Sequence, residues 1–498
     1  MSKYSILIRT AEGDTRVVSG AGETLLELMR GAGADIHAPC GGNGTCRQCL
    51  ATVSGRCRFA DGTERECDSE EVLACQTWAA GDLTVTPRET GGARILTDTV
   101  DLPAGGEGLG LAVDIGTTTV AAYLYDLRTG KCLGERGAMN AQRAWGGDVI
   151  SRIRHASTPE GLNALCSAIR GQIRAMAESL CPDLSAIRYV SIAANTVMEH
   201  LFAGLSPESI GVAPFAPLSL FGTETAAADY MDCFAPDCRL YLCPAVAGYV
   251  GGDITAGLLS SGASERETLV LFIDVGTNGE MGLGNREEFL TCATAAGPAF
   301  EGAEIECGSP AQNGAINSVA SDLSFCTLGE GEPRSICGSG LIDAVAALLR
   351  NEIIDETGRM EDERYSFSEH VWLSGRDVRQ LQLAKAAIRA GIETLLEQSG
   401  KNYDDVSEVL IAGGFGAYLR VDSACAIGLL PPALRNRTRH VGNSAGRGAA
   451  LALTAEGRRA LEALHNRCRY SELSGSALFN DKYIEAMMFD EWEDMDDV

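Results

Sequence analysis

Four cysteines near the start of the chain carry the first chemical signal. Cys40, Cys46 and Cys49 lie within Cys40-Gly41-Gly42-Asn43-Gly44-Thr45-Cys46-Arg47-Gln48-Cys49, and Cys75 follows. Four thiolates can hold a [2Fe–2S] cluster. Interspersed glycines let the backbone wrap closely round an inorganic core and accept positive φ. The spacing C-x5-C-x2-C-x25-C has one residue more in its first gap than the plant-type pattern. A structural zinc site is the rival, but such sites usually pair two short C-x2–4-C units, and here only one short pair exists. The expected metal ligands are therefore Cys40, Cys46, Cys49 and Cys75, and the expected chemistry is one-electron transfer.

A second signal is an internal repeat. Leu111-Ala112-Val113-Asp114-Ile115-Gly116-Thr117-Thr118 returns 160 residues later as Leu271-Phe272-Ile273-Asp274-Val275-Gly276-Thr277-Asn278. In each copy a hydrophobic strand ends in a carboxylate and a glycine makes a tight hairpin. Backbone N–H groups and hydroxyls of such a hairpin can hold phosphate oxygens. The aspartate can hold Mg²⁺ through water, because Mg²⁺ keeps part of its hydration shell. One Asp-x-Gly-Thr alone occurs in ordinary turns; a matched pair predicts two facing subdomains that clamp a triphosphate from both sides. A third element, Leu410-Ile411-Ala412-Gly413-Gly414-Phe415-Gly416, runs a buried strand into a glycine turn where an adenine can lie against backbone. No G-x4-G-K-[ST] sequence occurs, which excludes a P-loop ATPase. Asp253 and Glu301 are candidates for orienting the attacking water or coupling to the metal, against the plainer reading of surface carboxylates. Gly338-Ser339-Gly340 opens a helix whose N-terminus can face phosphate or base, or be an ordinary helix start.

These residues need a frame to hold them. Residues 1–88 read as a small β-rich domain: strands at Ile6–Ile8 and Val17-Val18, and a helix over Leu25–Arg30 capped by Thr24 and stopped by Gly31 and Gly33. The cysteine loop follows, then strands near Ala51–Val53 and Leu83–Thr86. Residues 89–108, with Gly91-Gly92 and Pro103-Ala104-Gly105-Gly106, read as a linker loose enough to let that domain swing. The remainder alternates strands and helices, an α/β pattern. It divides into subdomains at 109–265 and 266–456, with helices expected over 161–179, 339–350, 376–398 and 445–456. Residues 457–498 form a C-terminal helix and an acidic tail, which is either a solvated end or a dock for a basic partner.

Composition narrows the function further. Lys and Arg total 41 against 68 Asp and Glu, a formal charge of −27. Nucleic acid and anionic membrane surfaces are poor partners for such a chain. No apolar run approaches the length that spans a bilayer. Eighteen cysteines without a secretory leader point to reduced thiols in the cytoplasm.

The N-terminal order of elements and its cysteines resemble a ferredoxin of the β-grasp type. From 109 to 455 the motifs resemble the superfamily of actin, heat-shock chaperones and sugar kinases (ASKHA). Asp114, Gly116, Thr117 and Thr118 match its first phosphate motif, Asp274, Gly276, Thr277 and Asn278 its second, and Gly413-Gly414 its adenosine motif. Residues 243–253 and 443–450 are similar to its connecting segments. A ferredoxin fused to this ATPase resembles the RACo-like reductive activators of corrinoid proteins. Residues 140–153, Asn195-Thr196 and 296–303 are also similar to that family. Some members carry an extra small domain where this chain has only a linker.

The resemblance implies an α+β ferredoxin followed by a duplicated α/β ATPase, with a [2Fe–2S] cluster, ATP and Mg²⁺ as cofactors. It implies cofactor-binding roles for Gly116, Thr117, Thr118, Gly276, Thr277, Asn278, Gly413 and Gly414, and catalytic roles for Asp114 and Asp274; Gly338 and Phe415 join them as candidate cofactor-binding residues, and Asp253 and Glu301 as candidate catalytic ones. It implies electron delivery to the Co(II) corrinoid of a partner methyltransferase or corrinoid protein, restoring Co(I), with an upstream electron donor. Plant-type clusters sit near about −400 mV, so ATP must offset any shortfall. Asp35-Ile36-His37 begins a D-x-H-x-x-G cobalamin motif, but Cys40 stands where its glycine would be, so the corrinoid belongs to the partner. A homodimer is compatible with the sequence.

Other readings remain open at this stage. They are an ATP-driven donor to a non-corrinoid enzyme, a small-molecule kinase with a redox-sensing ferredoxin, and a chaperone-like binding module. Cys233, Cys238 and Cys243 recur every five residues without a fourth ligand and read as buried thiols, as do Cys292, Cys307 and Cys337. Cys57 and Cys67 compete with Cys75 for the fourth ligand place, and Cys75 has the better context. A Rieske site needs two histidines, and only His37 is near.

Overall fold

The computed structural model describes residues 3–490 except 11–12, 20–21, 33, 35, 37, 39–41, 43, 45–48, 89–96 and 330. Cys40, Cys46 and the acidic tail from 491 onward lie outside the described residues.

The N-terminal unit is a five-stranded sheet in the order Gly13–Val18, Ser5–Thr10, Thr77–Pro87, Leu50–Phe59, Glu64–Leu73. Ser5–Thr10 runs parallel to Thr77–Pro87 and the other neighbours are antiparallel. Ile6, Ile8, Val53 and Val85 alternate onto one face and bury Leu25, Leu26 and Met29 of the helix Leu25–Gly31. Thr24 and Glu27 close a capping box at its start, as the Thr-x-x-Glu spacing dictates. The long strand Glu64–Leu73 is not among the strands expected from the sequence. Its first seven residues are polar apart from the buried Cys67 and include four acidic side chains, because it is an edge strand.

Two six-stranded sheets follow, and their topology repeats. In the first, Leu109–Ile115, Thr119–Asp126 and Lys131–Met139 form an antiparallel meander, and Ile187–Ala194 and Arg239–Leu242 continue it in parallel. In the second, Leu269–Val275, Gly279–Gly284 and Phe289–Thr294 form the meander, and Val406–Ala412 and Thr438–Gly442 continue it. The central strands Leu109–Ile115 and Leu269–Val275 are covered on both faces, which explains their near-continuous apolar runs. Each therefore delivers its aspartate to the same edge of its own sheet. The helices Gly252–Ser260 and Ser444–Ala452 meet between the halves through small residues. A Cβ on Gly448 would lie 2.2 Å from the Ala256 carbonyl, and Ser260 Oγ donates to the Ser444 carbonyl at 2.6 Å.

Three of the expected helices lie at Pro159–Leu180, Gly338–Arg350 and Gly375–Gln398. The fourth, expected over 445–456, is two helices: Ser444–Ala452 stops, and Thr454 caps a new one over Ala455–His465. Close approach of Gly457 to the Leu451 carbonyl, which a Cβ would meet at 2.1 Å, permits that corner.

Residues 97–106, expected to hang loosely, lie along the ATPase instead. Leu102 is buried and its N–H donates to the Gly130 carbonyl. Thr97 Oγ1 donates to Glu135, and the Tyr125 hydroxyl holds the Val100 N–H. Asp98 Oδ2 accepts the Asn443 N–H at 2.9 Å. Gly442, at φ +63°, makes room for it: a Cβ there would sit 1.8 Å from Asp98 Oδ2. Asp98→Ala leaves the Asn443 amide without its acceptor, a loss of about 1–2 kcal/mol. It is expected to lower the melting temperature and speed protease cleavage within 97–106; cleavage no faster than in the parent would show that the clasp contributes nothing.

Candidate functional site

Cys49 ends the cysteine loop and enters the strand Leu50–Phe59; Cys75 sits in the single turn Ala74–Gln76. The Ala74 N–H donates to the Cys49 carbonyl at 2.8 Å, which ties the two cysteines' backbones together. Both are buried, and neither is part of a disulfide. Gly42 and Gly44 of the loop adopt positive φ. A Cβ on Gly42 would lie 3.9 Å from Cys75 Cβ, and one on Gly44 would strike the Gln76 side chain at 2.3 Å. Gly42 and Gly44 therefore lie against the Cys75 turn, where a larger residue would not fit. That cradle and donor set fit an iron–sulfur cluster. Cys57 and Cys67 are hydrogen-bonded to one another further along the sheet, and burial pushes the Cys57 thiol up to about 12.

The two hairpin aspartates face each other. Asp114 accepts Asn443 Nδ2 at 2.9 Å. Asp274 sits opposite Glu280 across its own hairpin and beside Ala412. Asp253 lies in the first turn of Gly252–Ser260, whose N-terminus is brought in by Gly251. A Cβ on Gly251 would lie 2.4 Å from Asn195 Cα. Burial is the main cause that raises all three carboxyls: Asp114 to about 6, Asp274 to about 7 with help from Asp114, and Asp253 to about 8 with help from Asp274 and Asp114. Among the described residues no three acidic, His or Cys side chains converge on one point where they could ligate a metal. The three carboxyls nonetheless sit close enough to disfavour one another's charge.

Glu301 joins the two hairpins. It accepts Thr118 Oγ1 at 2.7 Å from the first hairpin and Thr277 Oγ1 at 2.8 Å from the second. Burial raises its carboxyl, and the two hydroxyls oppose that shift. Thr117 Oγ1 accepts Asn195 Nδ2 at 3.1 Å. Gly116 makes the first turn, where a Cβ would meet the Thr119 carbonyl at 2.9 Å, and the Gly276 N–H donates to the Asn278 carbonyl in the second. Asn278 donates to Glu280 at 3.3 Å.

Gly413, expected to lie against adenine, packs against the second hairpin. At φ +92°, a Cβ on it would lie 2.6 Å from Asp274 Oδ1 and 2.8 Å from the Val275 carbonyl. Gly414 faces open space. Phe415 stacks on Phe300, centroids 5.1 Å apart and planes at 18°. Gly338 supports this stack: a Cβ there would meet the Phe300 carbonyl at 1.8 Å and the Phe415 ring at 2.7 Å. Since Phe300 precedes Glu301, the glycine turn and the Glu301 loop are packed against each other.

Sequence reasoning missed several residues here. Glu280 and Glu199 are buried acids; Glu280 is raised by burial and then by Asp253 and Asp274, Glu199 by burial and then by Asp253. Asn443, Asn140 and Arg152 hold the first hairpin from behind. Asn443 and Arg152 lie inside stretches singled out by resemblance, but nothing in their spacing reveals what they touch. Glu280 carried a local signal, as an acid inside an otherwise uncharged hairpin strand, Gly279–Gly284.

Comparison with known proteins agrees with this geometry. A family model for the 2Fe-2S iron-sulfur cluster binding domain matches residues 9–80, one for the RACo middle region matches 109–266, and one for the C-terminal domain of RACo, the ASKHA domain, matches 268–497. The solved structure of a reductive activator for corrinoid,iron-sulfur protein is similar over 98% of both chains, at 30% identity and TM-score 0.68. The corrinoid activation enzyme RamQ of Eubacterium limosum is 34% identical over 422 residues, 76% of this chain and 70% of that one. The chain belongs to the family of RACo-like reductive activators of corrinoid proteins. A more distant relative is the Co(II) methylated amine-specific corrinoid protein reductase of Methanosarcina barkeri, 26% identical over 356 residues, 65% of this chain and 66% of that one. As a RACo-like activator, the chain has a [2Fe–2S] cluster and ATP as its cofactors. No helix among the described residues is long and apolar enough to cross a membrane.

The raised carboxyls give this RACo-like activator a defined pH response. Unfolded aspartates titrate near about 3.9, and here the folded values are raised. The stabilisation they confer is complete below about pH 4 and is lost as pH rises through 6 to 8. The nucleotide-free protein is therefore expected to melt at progressively lower temperature from pH 6 to 8.5. Mg²⁺–ATP binding has the opposite dependence, because the cation needs the charged forms and releases their protons. Melting curves with and without Mg²⁺–ATP should diverge as pH rises, and parallel curves would count against a carboxylate site.

Proposed function

We propose that this chain uses ATP to return the Co(II) corrinoid of a partner protein or methyltransferase to Co(I). The observation that carries the reading is the end-to-end likeness to a reductive activator, ferredoxin and ATPase together in one chain. Cys40, Cys46, Cys49 and Cys75 would hold the cluster, which would supply the single electron. Asp114, Asp253 and Asp274 would hold Mg²⁺ with the nucleotide phosphates, and the cation would offset the phosphate charge. The hydroxyls of Thr118 and Thr277 exchange Glu301 for phosphate oxygens, which frees Glu301 to orient the attacking water. Because Glu301 bonds to both hairpins, its release changes how the halves are held together, a motion that gates the electron. Acidic surfaces and the lack of a complete corrinoid motif leave the cobalt with the partner, and an upstream donor recharges the cluster.

The test mixes cluster-loaded protein, a low-potential reductant, Mg²⁺–ATP and the Co(II) corrinoid proteins encoded near it. Growth of the Co(I) absorption that requires ATP is expected. Its absence with every such partner would sink the reading.

A further inference from the structure

Arg152 is fully buried, in the helix Val149–His155 behind the first phosphate hairpin. Its Nε donates to the Gly146 carbonyl at 2.9 Å, Nη1 to Met198 Sδ at 3.0 Å and Gln142 Oε1 at 3.4 Å, and Nη2 to the Thr117 carbonyl at 2.6 Å. None of these four acceptors is charged. Asp148 and Glu301 favour its charge without bonding to it and Arg143 opposes it; a buried cation with no bonded counter-ion is costly, and an anion arriving in use offsets that cost. Burial lowers its basicity to about 9, which still leaves it charged at neutral pH.

The backbone shows where that anion lies. Asn140 Nδ2 pins the Gly116 carbonyl at 2.7 Å, and Arg152 pins the next carbonyl, that of Thr117. In a trans peptide the N–H points opposite the C=O. Pinning two successive carbonyls on the helix side turns the Thr117 and Thr118 N–H groups to the other side of the turn. Thr118 also holds Glu301, and Glu301 is among the acids that favour the charged form of Arg152. An internal carboxylate thus stands where a phosphate would bring more charge.

We propose that Arg152 is a positioning and specificity-determining residue for the polyphosphate: its buried cation and its hold on the Thr117 carbonyl make the first hairpin favour ATP and ADP over AMP. This rests on the nucleotide-site reading above. The adenosine end, at Gly413–Phe415, belongs to the other half of the clamp and does not depend on it.

Calorimetric affinities of cluster-loaded full-length protein for ATP, ADP and AMP test this, using the parent, R152M and R152K. R152M is expected to weaken ATP and ADP on the order of tenfold or more and AMP hardly at all, with the visible spectrum of the cluster unchanged. R152K keeps the charge and is expected to preserve most of the ATP-to-AMP preference; it also serves should R152M fail to fold. Equal weakening of ATP and AMP would reduce Arg152 to a structural anchor and overturn the proposal, as would an unchanged preference in R152M. A parent protein that binds no nucleotide would instead sink the nucleotide site itself, and this inference with it.

Discussion

Asp274→Asn is expected to cut ATP-dependent corrinoid reduction by about a hundredfold or more while stabilising the nucleotide-free protein above pH 7. Both effects have one cause. Asp274 stands between Asp114, Asp253 and Glu280 at the end of a buried strand, and burial with its acidic neighbours holds its carboxyl up near 7. Asparagine keeps the shape, removes the charge and relieves the repulsion, so the fold gains. The Mg²⁺–phosphate complex loses a counter-charge at the centre of the clamp. Metal-assisted stabilisation of a transferring phosphoryl group is worth several kcal/mol, and each 1.36 kcal/mol is tenfold in rate. The pair of measurements is a melting curve at pH 8 without nucleotide and a Co(I) rate with ATP. A variant that melted lower and kept its rate would show Asp274 to be a structural acid. The site trades stability for function, which is why the sign of the stability change is as diagnostic as the loss of activity.

The parts of this site that were legible in the sequence are those whose chemistry is written in one short segment. The Gly-rich cysteine loop and the repeated Asp-x-Gly-Thr need particular residue types at particular spacings, and each segment makes its own turn. Glu301 was legible as a candidate acid, but its reach to Thr118 and Thr277, 183 and 24 residues away, is a property of how the halves close. Arg152 and Asn140 act on backbone carbonyls, which no side-chain pattern records. The stretch 97–106 was misjudged because glycine and proline mark flexibility in isolation. Its order comes from Asp98 meeting Asn443, 345 residues on. That contact also links the ferredoxin's tether to the nucleotide site, since the same Asn443 holds Asp114.

Cys75→Ser is expected to abolish the cluster, and with it all corrinoid reduction, whereas Cys57→Ser and Cys67→Ser retain both. The argument is one of place and protonation. Cys75 lies beside Gly42, and its neighbour Ala74 is tied to Cys49 through the Ala74 amide. Cys57 is eight residues along the strand from Cys49, roughly 25 Å at the usual rise, far beyond the span of a two-iron cluster. Its thiol is pushed up to about 12 by burial and by Cys67, and only a thiolate ligates iron well. Cys57 and Cys67 satisfy each other's hydrogen bonding inside the sheet, so serine costs packing at most. Iron and sulfide content and the electron paramagnetic resonance of the reduced protein decide the matter. A Cys75→Ser protein with a full cluster, or a Cys67→Ser protein without one, would move the fourth ligand elsewhere. The electron would then enter at the far end of the strand pair, away from the glycine loop.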